Sequence, residues 1–368
     1  MCLETRIPVT DLHGGVCLER LTGPVGRGLA ELAGADLAAN EDLAEAIFLD
    51  VESTGLGAGA GTYAFLVGLA RVVRGELVLR QHFLRGPEEE AAWAHLLAQE
   101  LEPCALLVTF NGRSFDVPLL HTRFVMQRRS LPILSVPHVD LMWPARRLWR
   151  HHLPSCALVS LEENLLDLSR EGDVPGRDIP GIYSDYLSSG DATPLAPVVT
   201  HNALDVLSMV SLAIRIRDLL DVHRPVQPDH PAVWLGLGRC FEQLGEPEHA
   251  ARAYLEASRQ PSASDARVEA LCWLSRLYKR NHRWDKAEAL WRTLVQQAHP
   301  EGVYPYEELA KCLEHREHRY EDALEVVDVA HFRLATDRLS CRRDKEQVIQ
   351  DFRHRRARLF RRQKRRNQ

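Results

Sequence analysis

The chain has 368 residues and a mass of 41.7 kDa, with 45% hydrophobic and 26% charged residues, close to the averages for globular proteins. These values predict two or three domains and exclude a fibre or a disordered chain. No run approaches about 18 consecutive apolar residues, and the first residues lack a secretory signal, so we expect no membrane partner. The eight cysteines include no C-x-x-C pair, which predicts reduced packing residues in a cytoplasmic protein and no structural zinc site.

The charge is distributed unevenly along the chain. Residues 353–368 carry nine Lys and Arg residues and no acid, so residues 1–352 hold 37 bases against 51 acids. An acidic body with a basic tail indicates either contact with nucleic acid or a solvated terminal helix.

Two segments with different patterns make up the first 222 residues. Residues 1–44 show no strong hydrophobic period, so we interpret them as an N-terminal extension with a short strand pair and a helix or loop.

Residues 45–222 alternate strand-like and helix-like runs. Strands are predicted at AIFLDVES, at TYAFLVGLARVV and GELVLRQHFL in a hairpin around Arg74-Gly75-Glu76, at the wholly apolar CALLVTF, and at HVDLM. Helices are predicted at PEEEAAWAHLLAQEL, SFDVPLLHTRFVMQR and LAPVVTHNALDVLSMVSLAIRIRDLL, and this alternation favours an α/β domain with a mixed sheet.

After residue 225 the helical period continues without a strand signal. The first unit there matches the tetratricopeptide spacing through Trp234, Leu237, Gly238, Phe241, Ala250, Tyr254 and Ala257. Two weaker units follow. Their equivalent alanines are Ala287, which lies 37 residues after Ala250, and Ala323, which lies 36 residues after Ala287. Any array of helical hairpins needs small and large residues in alternation, and this is the open alternative.

We therefore predict tetratricopeptide-like repeats over residues 229–340 and a basic C-terminal helix or tail over residues 341–368. The domain boundary is predicted at Pro225, Pro228 and Pro231. A stacked array presents a concave surface the size of a peptide, so we expect a possible protein partner at the repeats.

Two acids, Asp50 and Glu52, end an apolar strand two residues apart, so their side chains share one face. Burying such a pair is costly unless something offsets the charge, and hard carboxylate oxygens favour Mg²⁺ or Mn²⁺. The alternative is a strand that runs into solvent, where acids are ordinary.

Two further segments carry acids near a strand end or on one helix face. Asp116 follows a strand and a turn at Asn111 and Gly112, and it is also consistent with the first turn of a helix. His201 and Asp205 are four residues apart and share a helix face, and the alternative for His201 is a capping or core histidine. Four converging carboxylates could bind two divalent ions, which stabilise the attacking and leaving oxygens in phosphodiester cleavage.

The order D-V-E-S-T-G-L, F-N-G-R-S-F-D and H-N-A-L-D-V resembles the three exonuclease motifs of the DEDD (DnaQ-like) superfamily, which has a ribonuclease-H-like fold. With G-T-Y-A-F-L-V-G-L and P-A-R-R-L-W-R, the chain more closely resembles the bacterial ribonuclease-H-like family labelled YprB, whose members often carry C-terminal tetratricopeptide repeats. The resemblance covers roughly residues 45–340. It implies a mixed sheet with flanking helices followed by all-α repeats, and a 3′→5′ exonuclease acting on single-stranded DNA or RNA.

The resemblance also assigns roles to individual positions. It implies that Asp50 and Glu52 are the first-motif ligands of two divalent cations, Mg²⁺ or Mn²⁺. Asp116 and Asp205 would be the ligands from the second and third motifs. His201 would be the general base that removes a proton from the attacking water.

The chain departs from the superfamily pattern at two positions. Three residues separate His201 from Asp205, as in the tyrosine branch, whereas the histidine branch usually has four. Ser53 replaces the more usual threonine. Asp140 is either an accessory acid near the site or a structural residue at a strand end, and residues 55–63 (GLGAGAGTY) either let the backbone approach a nucleotide or form a flexible loop.

Five residues are candidate substrate contacts. Thr54 and Asn111 lie beside the motif acids, and Asn111 alternatively only turns the chain. Arg146, Arg147 and Trp149 belong to PARRLWRHH, in which arginines beside an aromatic ring could bind phosphate and stack a base. The alternative for this segment is an amphipathic surface helix.

Three other functions remain open at this stage. The first is a structure-specific endonuclease on the same fold. The second is a tetratricopeptide scaffold with little or no nuclease activity. The third is nucleic-acid binding without cleavage.

Overall fold

The computed structural model describes residues 1–37, 41–55, 57, 59–151, 153–223, 226, 228, 233–259, 264–296, 302–339 and 344–366. The chain divides into two compact units, Met1–Gln227 and Pro228–Gln368. The second unit begins at Pro228, one of the three prolines at which we expected the boundary. Pro225 and Pro231 lie outside the described residues.

A mixed sheet of six strands forms the centre of the first unit, in the order β1-β6-β5-β4-β7-β8. Antiparallel pairing joins β1 to β6, β6 to β5 and β5 to β4, and β4, β7 and β8 run parallel. This arrangement confirms the predicted α/β fold with a mixed sheet. The strands are β1 (Cys2–Pro8), the small pair β2 (Leu12–His13) and β3 (Val16–Cys17), β4 (Ala46–Ser53), β5 (Ala64–Val73), β6 (Glu76–Phe83), β7 (Leu106–Thr109) and β8 (His138–Asp140).

The predicted hairpin joins β5 to β6 through Arg74 and Gly75. Both residues have positive φ, 53° and 82°, as a two-residue turn between twisted antiparallel strands requires. The turn sets the register that pairs Val73 with Glu76.

The first residues do not form a separate extension, in contrast to our prediction for residues 1–44. β1 pairs with β6 along its whole length and becomes an edge strand of the sheet. Most of its side chains are exposed, so its sequence shows no apolar alternation. The predicted short strand pair is present as β2 and β3.

Helices cover both faces of the sheet. α2, α3 and α6 pack on one face, where Trp93, Phe124 and Tyr183 join a large apolar cluster with the odd-numbered residues of β4 and β5. α7 lies against β4 and β5 and contacts α1. The helices are α1 (Arg27–Ala33), α2 (Glu90–Leu101), α3 (Asp116–Met126), α4 (Met142–Trp149), α5 (Leu158–Leu161), α6 (Ile179–Ser189) and α7 (Ala196–Leu219).

The segment Thr193–Leu219 is long and apolar enough to cross a membrane by length and composition alone. Yet 56% of its apolar window is buried inside the protein. Its apolar character therefore fits a helix that packs against the sheet within a core.

The second unit consists of helices that pair in sequence. α8 packs on α9, α10 on α11, and α12 on α13, and neighbouring pairs also contact each other. This arrangement is consistent with the predicted helical repeats. The helices are α8 (Val233–Gln243), α9 (Pro247–Arg259), α10 (Ser264–Arg280), α11 (Trp284–Gln296), α12 (Tyr304–His315), α13 (Tyr320–Ala335) and the terminal α14 (Lys345–Arg366).

Small residues allow close packing within each pair. The three aligned alanines, Ala250, Ala287 and Ala323, are fully buried. A Cβ atom at Gly238 would lie only 2.3 Å from Cε1 of Tyr254, so glycine lets that ring pack against α8. The small and aromatic positions of the repeat motif therefore have the packing roles that the sequence predicted.

Candidate active site

Two acids of β4 face the same side of the sheet. Asp50 and Glu52 alternate with Val51, as the two-residue period of a strand requires. The pairing of β4 with β5 is irregular between Glu52 and Ser53. Ser53 still pairs with Ala64 and ends β4, so both carboxylates lie near the end of a central strand.

Asp116 is the first residue of α3, and it is buried. The loop before it turns at Asn111, whose φ is 67°. The carboxylate of Asp140, at the end of β8, accepts hydrogen bonds from the backbone N–H groups of Asn111 at 2.8 Å, Arg113 at 3.2 Å and Met142 at 3.1 Å. Asp140 therefore has the strand-end structural role, because it holds the loop that positions Asp116.

Asn202 of α7 connects the helix to the sheet. Its Nδ2 donates to Oδ2 of Asp50 at 2.8 Å, and its Oδ1 accepts from Nε2 of Gln81 at 2.9 Å. A Cβ atom at Gly68 of β5 would lie 2.4 Å from Oδ1 of Asn202. Glycine at this position therefore lets the helix approach the sheet closely enough to orient Asp50.

A buried arginine holds the third-motif acid. Arg170 lies after a π-helical turn (Glu162–Leu166), and its side chain is 5% exposed. Its guanidinium makes two hydrogen bonds of 2.6 Å to the carboxylate of Glu162 and another to Oδ1 of Asp205. It also lies 3.4 Å from Asp173. One cation therefore fixes three carboxylates relative to α7.

The imidazole of His201 lies between two sets of acids. Its Nδ1 is 2.7 Å from Oδ1 of Asp173, and its Nε2 is 3.9 Å from Oε1 of Glu52 and 3.7 Å from Oδ2 of Asp205. Burial opposes ionisation of Asp173, but the hydrogen bond from His201 and the charges of His201 and Arg170 outweigh it and lower the Asp173 pKa. An ionised Asp173 accepts the Nδ1 proton, which turns Nε2 towards the other acids.

The four motif acids and His201 line one cavity of about 200 Å³. Phe110 and Phe115, both half-buried, border it next to the acids. The four motif acids and His201 therefore converge, as the sequence predicted. The full lining is Asp50, Val51, Glu52, Phe110, Asn111, Phe115, Asp116, His201 and Asp205.

Mutual repulsion and burial raise the pKa values of the four acids. Loss of solvent, followed by the charges of the other acids, raises the pKa of Asp50 well above its usual value. Burial raises the pKa of Glu52 to about 7 and that of Asp116 to about 8, and the neighbouring acids add to both shifts. Burial also raises the pKa of Asp205, although Arg170 opposes this. The described residues only partly offset the charge of these hard oxygen donors, and such a set fits divalent cations.

The substrate contacts predicted on α4 are not all available. Trp149 is 1% exposed and packs in the interior, so its ring cannot stack on a base. Arg147 donates to the carbonyl oxygen of Leu32 at 3.0 Å. Arg146 is exposed, and Trp143 on the same helix is 47% exposed. The helix is thus amphipathic, with the sequence-predicted ring on its buried side.

Thr54 organises the loop that follows β4. Its Oγ1 accepts a hydrogen bond from the backbone N–H of Tyr63 at 2.9 Å, and its own N–H donates to the Tyr63 carbonyl at 2.9 Å. Cβ atoms at Gly57, Gly59 and Gly61 would meet nothing within 4 Å. Packing therefore does not require glycine at these three positions. The open space beside them could hold a ligand or allow the loop to move.

Sequence reasoning missed several residues that hold the site together. Arg170 and Asp173 belong to SREGDV, a polar run with no periodic signal, and only its density of charge between two apolar segments could have drawn attention to it. Asn202 offered a better signal, because it is a fully buried polar residue next to His201 in an apolar helix.

Comparison with known proteins identifies the families of the two units. Residues 47–217 match the model of the RNase_H superfamily, and residues 213–266 match a tetratricopeptide repeat model. The chain is also similar to the uncharacterized protein YprB of Bacillus subtilis (strain 168). The two are 34% identical over 288 residues, which cover 76% of this chain and 68% of the relative.

Proposed function

Since this chain belongs to the YprB family of ribonuclease-H-superfamily proteins, we propose that it is a metal-dependent nuclease. More specifically, we propose a 3′→5′ exonuclease that hydrolyses phosphodiester bonds at single-stranded ends of DNA or RNA. The observation that carries the proposal is the convergence of four carboxylates and one histidine on a single cavity. Within the part of the chain that the structure describes, cations only partly offset these acids, which is unusual for a purely structural cluster.

Asp50, Glu52, Asp116 and Asp205 would hold two divalent cations, Mg²⁺ or Mn²⁺. Their raised pKa values support this assignment, because burial outweighs the partial compensation that Arg170 gives to Asp205, and a bound cation would favour the ionised acids. When bound, two such ions stabilise charge on the attacking and leaving oxygens of a phosphodiester. Asn202 and Arg170 would orient Asp50 and Asp205 and limit which of their oxygens face the cavity.

His201 is the proposed general base. Its Nε2 faces Glu52 and Asp205, and Asp173 holds the opposite nitrogen. A neutral imidazole with its proton on Nδ1 has a lone pair on Nε2, which can accept the proton of an attacking water. The short spacing to Asp205 does not prevent this, because one helical turn places both residues on the same face of α7.

The surroundings of the cavity favour a single-stranded substrate. Phe110 and Phe115 are half-buried beside the acids, and such rings stack on unpaired bases without regard to sequence. Asn111, between a strand and a helix, offers an amide to the same space. A paired duplex would have to open before its bases reached these rings.

The direct test uses purified full-length protein, Mg²⁺ or Mn²⁺, and 5′-labelled single-stranded DNA and RNA of equal sequence. The expected result is a ladder that shortens from the 3′ end, is absent with EDTA, and is absent in the Asp50→Ala and Asp205→Ala variants. Asp185→Ala, an exposed acid on α6, is the matched control and should retain full activity. Failure to cleave either strand by the folded protein would contradict the proposal.

A circular single strand separates the two modes of cleavage. An exonuclease leaves the circle intact, whereas cleavage of the circle that depends on Asp50 would favour the endonuclease alternative. Metal binding is measured separately by calorimetry. If the protein binds Mn²⁺ through Asp50 but cleaves neither strand, the result supports the proposed metal site and contradicts only the proposed substrate.

The repeat unit supports a second role, that of binding a protein partner. The first helices of the three pairs share a row of cations and rings: Arg239 lies over Trp273, and Arg276 lies over both Trp273 and Tyr304. Half-buried arginine and aromatic side chains of this kind are typical of interaction surfaces. We also propose a cytoplasmic location, which is supported by the seven cysteines of the described residues, since none of them forms a disulfide.

A further inference from the structure

The two units differ in the sign of their charge. Residues 1–227 hold 19 Lys and Arg against 29 Asp and Glu, whereas residues 228–368 hold 27 against 22. The difference arises largely from α14, since residues 353–368 contribute nine bases and no acid. The arrangement of these bases on the helix decides whether they serve packing or another purpose.

One face of α14 attaches the helix to the second unit. Val348, Phe352 and Leu359 are at most 2% exposed. Arg355 and Arg358, at 2.8 and 2.7 Å, reach the carboxylate of Glu314, whose side chain is completely buried, and Arg362 lies 3.4 Å from it. Arg356 pairs with Asp328 of α13. Four of the bases therefore belong to the contact between α14 and the repeats.

The outward face of α14 has a different composition. We define it as Arg353, Phe360, Arg361, Lys364 and Arg365, all of which are exposed. Arg353 donates to His331, and Arg361 donates to the carbonyl oxygen of Ala357. Among the described residues, no carboxylate pairs with any of these four cations. Phe360 is 62% exposed in their midst.

We propose that the outward face of α14 binds the sugar-phosphate backbone of single-stranded nucleic acid and that Phe360 stacks on one of its bases. Four cations spread along about 18 Å of helix can contact several phosphates. An exposed ring among arginines adds stacking that does not depend on sequence. This inference does not rest on the proposed nuclease activity, because binding needs neither metal nor cleavage.

A membrane surface fits this helix less well. Helices that lie in a bilayer interface insert a broad apolar face. Three apolar residues of α14, Val348, Phe352 and Leu359, are already buried against the protein, and Phe360 is the one large apolar residue on the outward face. An acidic protein partner would use the cations but would gain nothing specific from a base-stacking ring.

The test measures binding of the full-length protein to fluorescent 20-mers of single-stranded DNA and RNA in EDTA, which prevents cleavage. The variant carries Arg361→Glu, Lys364→Glu and Arg365→Glu. The matched control carries Arg252→Glu, Arg267→Glu and Lys286→Glu, which makes the same charge change at exposed positions of the same unit. We expect the first triple to weaken binding at least tenfold and to reduce the slope of log K against log salt by about 2. The control should stay within about twofold of the unaltered protein.

Phe360→Ala provides an uncharged second variant, in case the charge reversals destabilise α14. It should weaken binding by roughly tenfold while leaving the salt slope unchanged, as loss of one stacked base predicts. Thermal melting of each variant checks that α14 remains docked.

Two results would overturn the inference. The first is equal weakening by both triple variants, since that would reflect net charge alone. The second is unchanged nucleic-acid binding by the first triple variant; loss of its binding to vesicles that contain phosphatidylglycerol would then identify a membrane surface as the occupant. A protein that binds through α14 but cleaves nothing would contradict only the proposed nuclease.

Discussion

Both units bury carboxylates, but the motif acids of the first unit and two acids of the repeats differ in how their charge is offset. In the second unit, burial opposes ionisation of Glu308 and Glu314, yet Lys279 and Lys311 surround the first and three arginines surround the second. These partners outweigh burial and lower both pKa values. In the first unit, Asp116 and its neighbouring acids face one another, and burial with mutual repulsion raises their pKa values.

The difference shows that burial of an acid alone does not identify a functional site. The informative property is the balance between the acids and the cations near them. A fully compensated acid such as Glu314 stabilises the fold, whereas a set that lacks compensation lowers stability and is retained for what it can bind. Substitutions in the two units should therefore have opposite effects.

The largest expected effect comes from neutralising one acid of the first unit. Asp50→Asn keeps the side-chain shape and an acceptor for Asn202, but it removes a charge from the proposed metal ligands. Metal-dependent cleavage should fall on the order of 10³-fold or more. The melting temperature in EDTA should rise, because the folded protein no longer has to bury this acid among other acids. A fall in both activity and EDTA stability would contradict the idea that this cluster lacks compensation.

A smaller loss is expected from the residue that orients His201. Asp173→Asn weakens the hold on Nδ1 but leaves the four motif acids in place. We expect kcat to fall about 10- to 100-fold with little change in KM or in Mn²⁺ affinity by calorimetry. Asp185→Asn on α6 serves as the control. A change confined to KM would argue that Asp173 contacts the substrate and does not position the base.

Neutralising the compensated acid should do the reverse of Asp50→Asn. Glu314→Gln leaves three arginines without their buried partner, and we expect it to reduce the free energy of unfolding by about 1–3 kcal/mol. Cleavage of a short single strand should be unaffected at temperatures where the protein is folded. Urea unfolding monitored by tryptophan fluorescence measures the first effect. An increase in stability would break the contrast between the units.

Stability should also depend on pH. Glu52 and Asp116 have pKa values of about 7 and 8 in the folded protein, above those of an unfolded chain. Folding thus retains protons, so this contribution is complete below about pH 4 and is lost as the pH rises towards 8. The slope is about 2 kcal/mol for each pH unit near neutrality in EDTA, since the two acids together hold more than one extra proton in the folded protein. Melting at pH 5.5 and 8 tests it, and added Mn²⁺ should stabilise the protein more at the higher pH.

Features that depend on a residue's position in a local sequence pattern could be predicted. The motif acids end strands or share a helix face, and the aligned alanines recur at a fixed period, so these features were predictable. The edge strand β1 was not, because its exposed side chains show no alternation. Trp149 was misassigned since only the rotation of α4 about its axis decides which side of the helix faces the interior.

The supporting contacts were unpredictable for a different reason. Arg170 contacts Asp205 35 positions later, and Asn202 contacts Asp50 152 positions earlier. Neither contact leaves a short-range pattern, because tertiary packing alone brings the partners together. The acids were therefore predictable from the sequence, but the residues that orient them were not.

The position of α7 at the end of the first unit also governs when the site becomes complete. Synthesis proceeds from the N-terminus, so the sheet with Asp50, Glu52 and Asp116 leaves the ribosome before residues 196–219. A growing chain that stops short of α7 lacks Asp205 and His201 and has no Asn202 to orient Asp50. On the proposed function, an unfinished protein could not cleave the messenger RNA from which it is being translated.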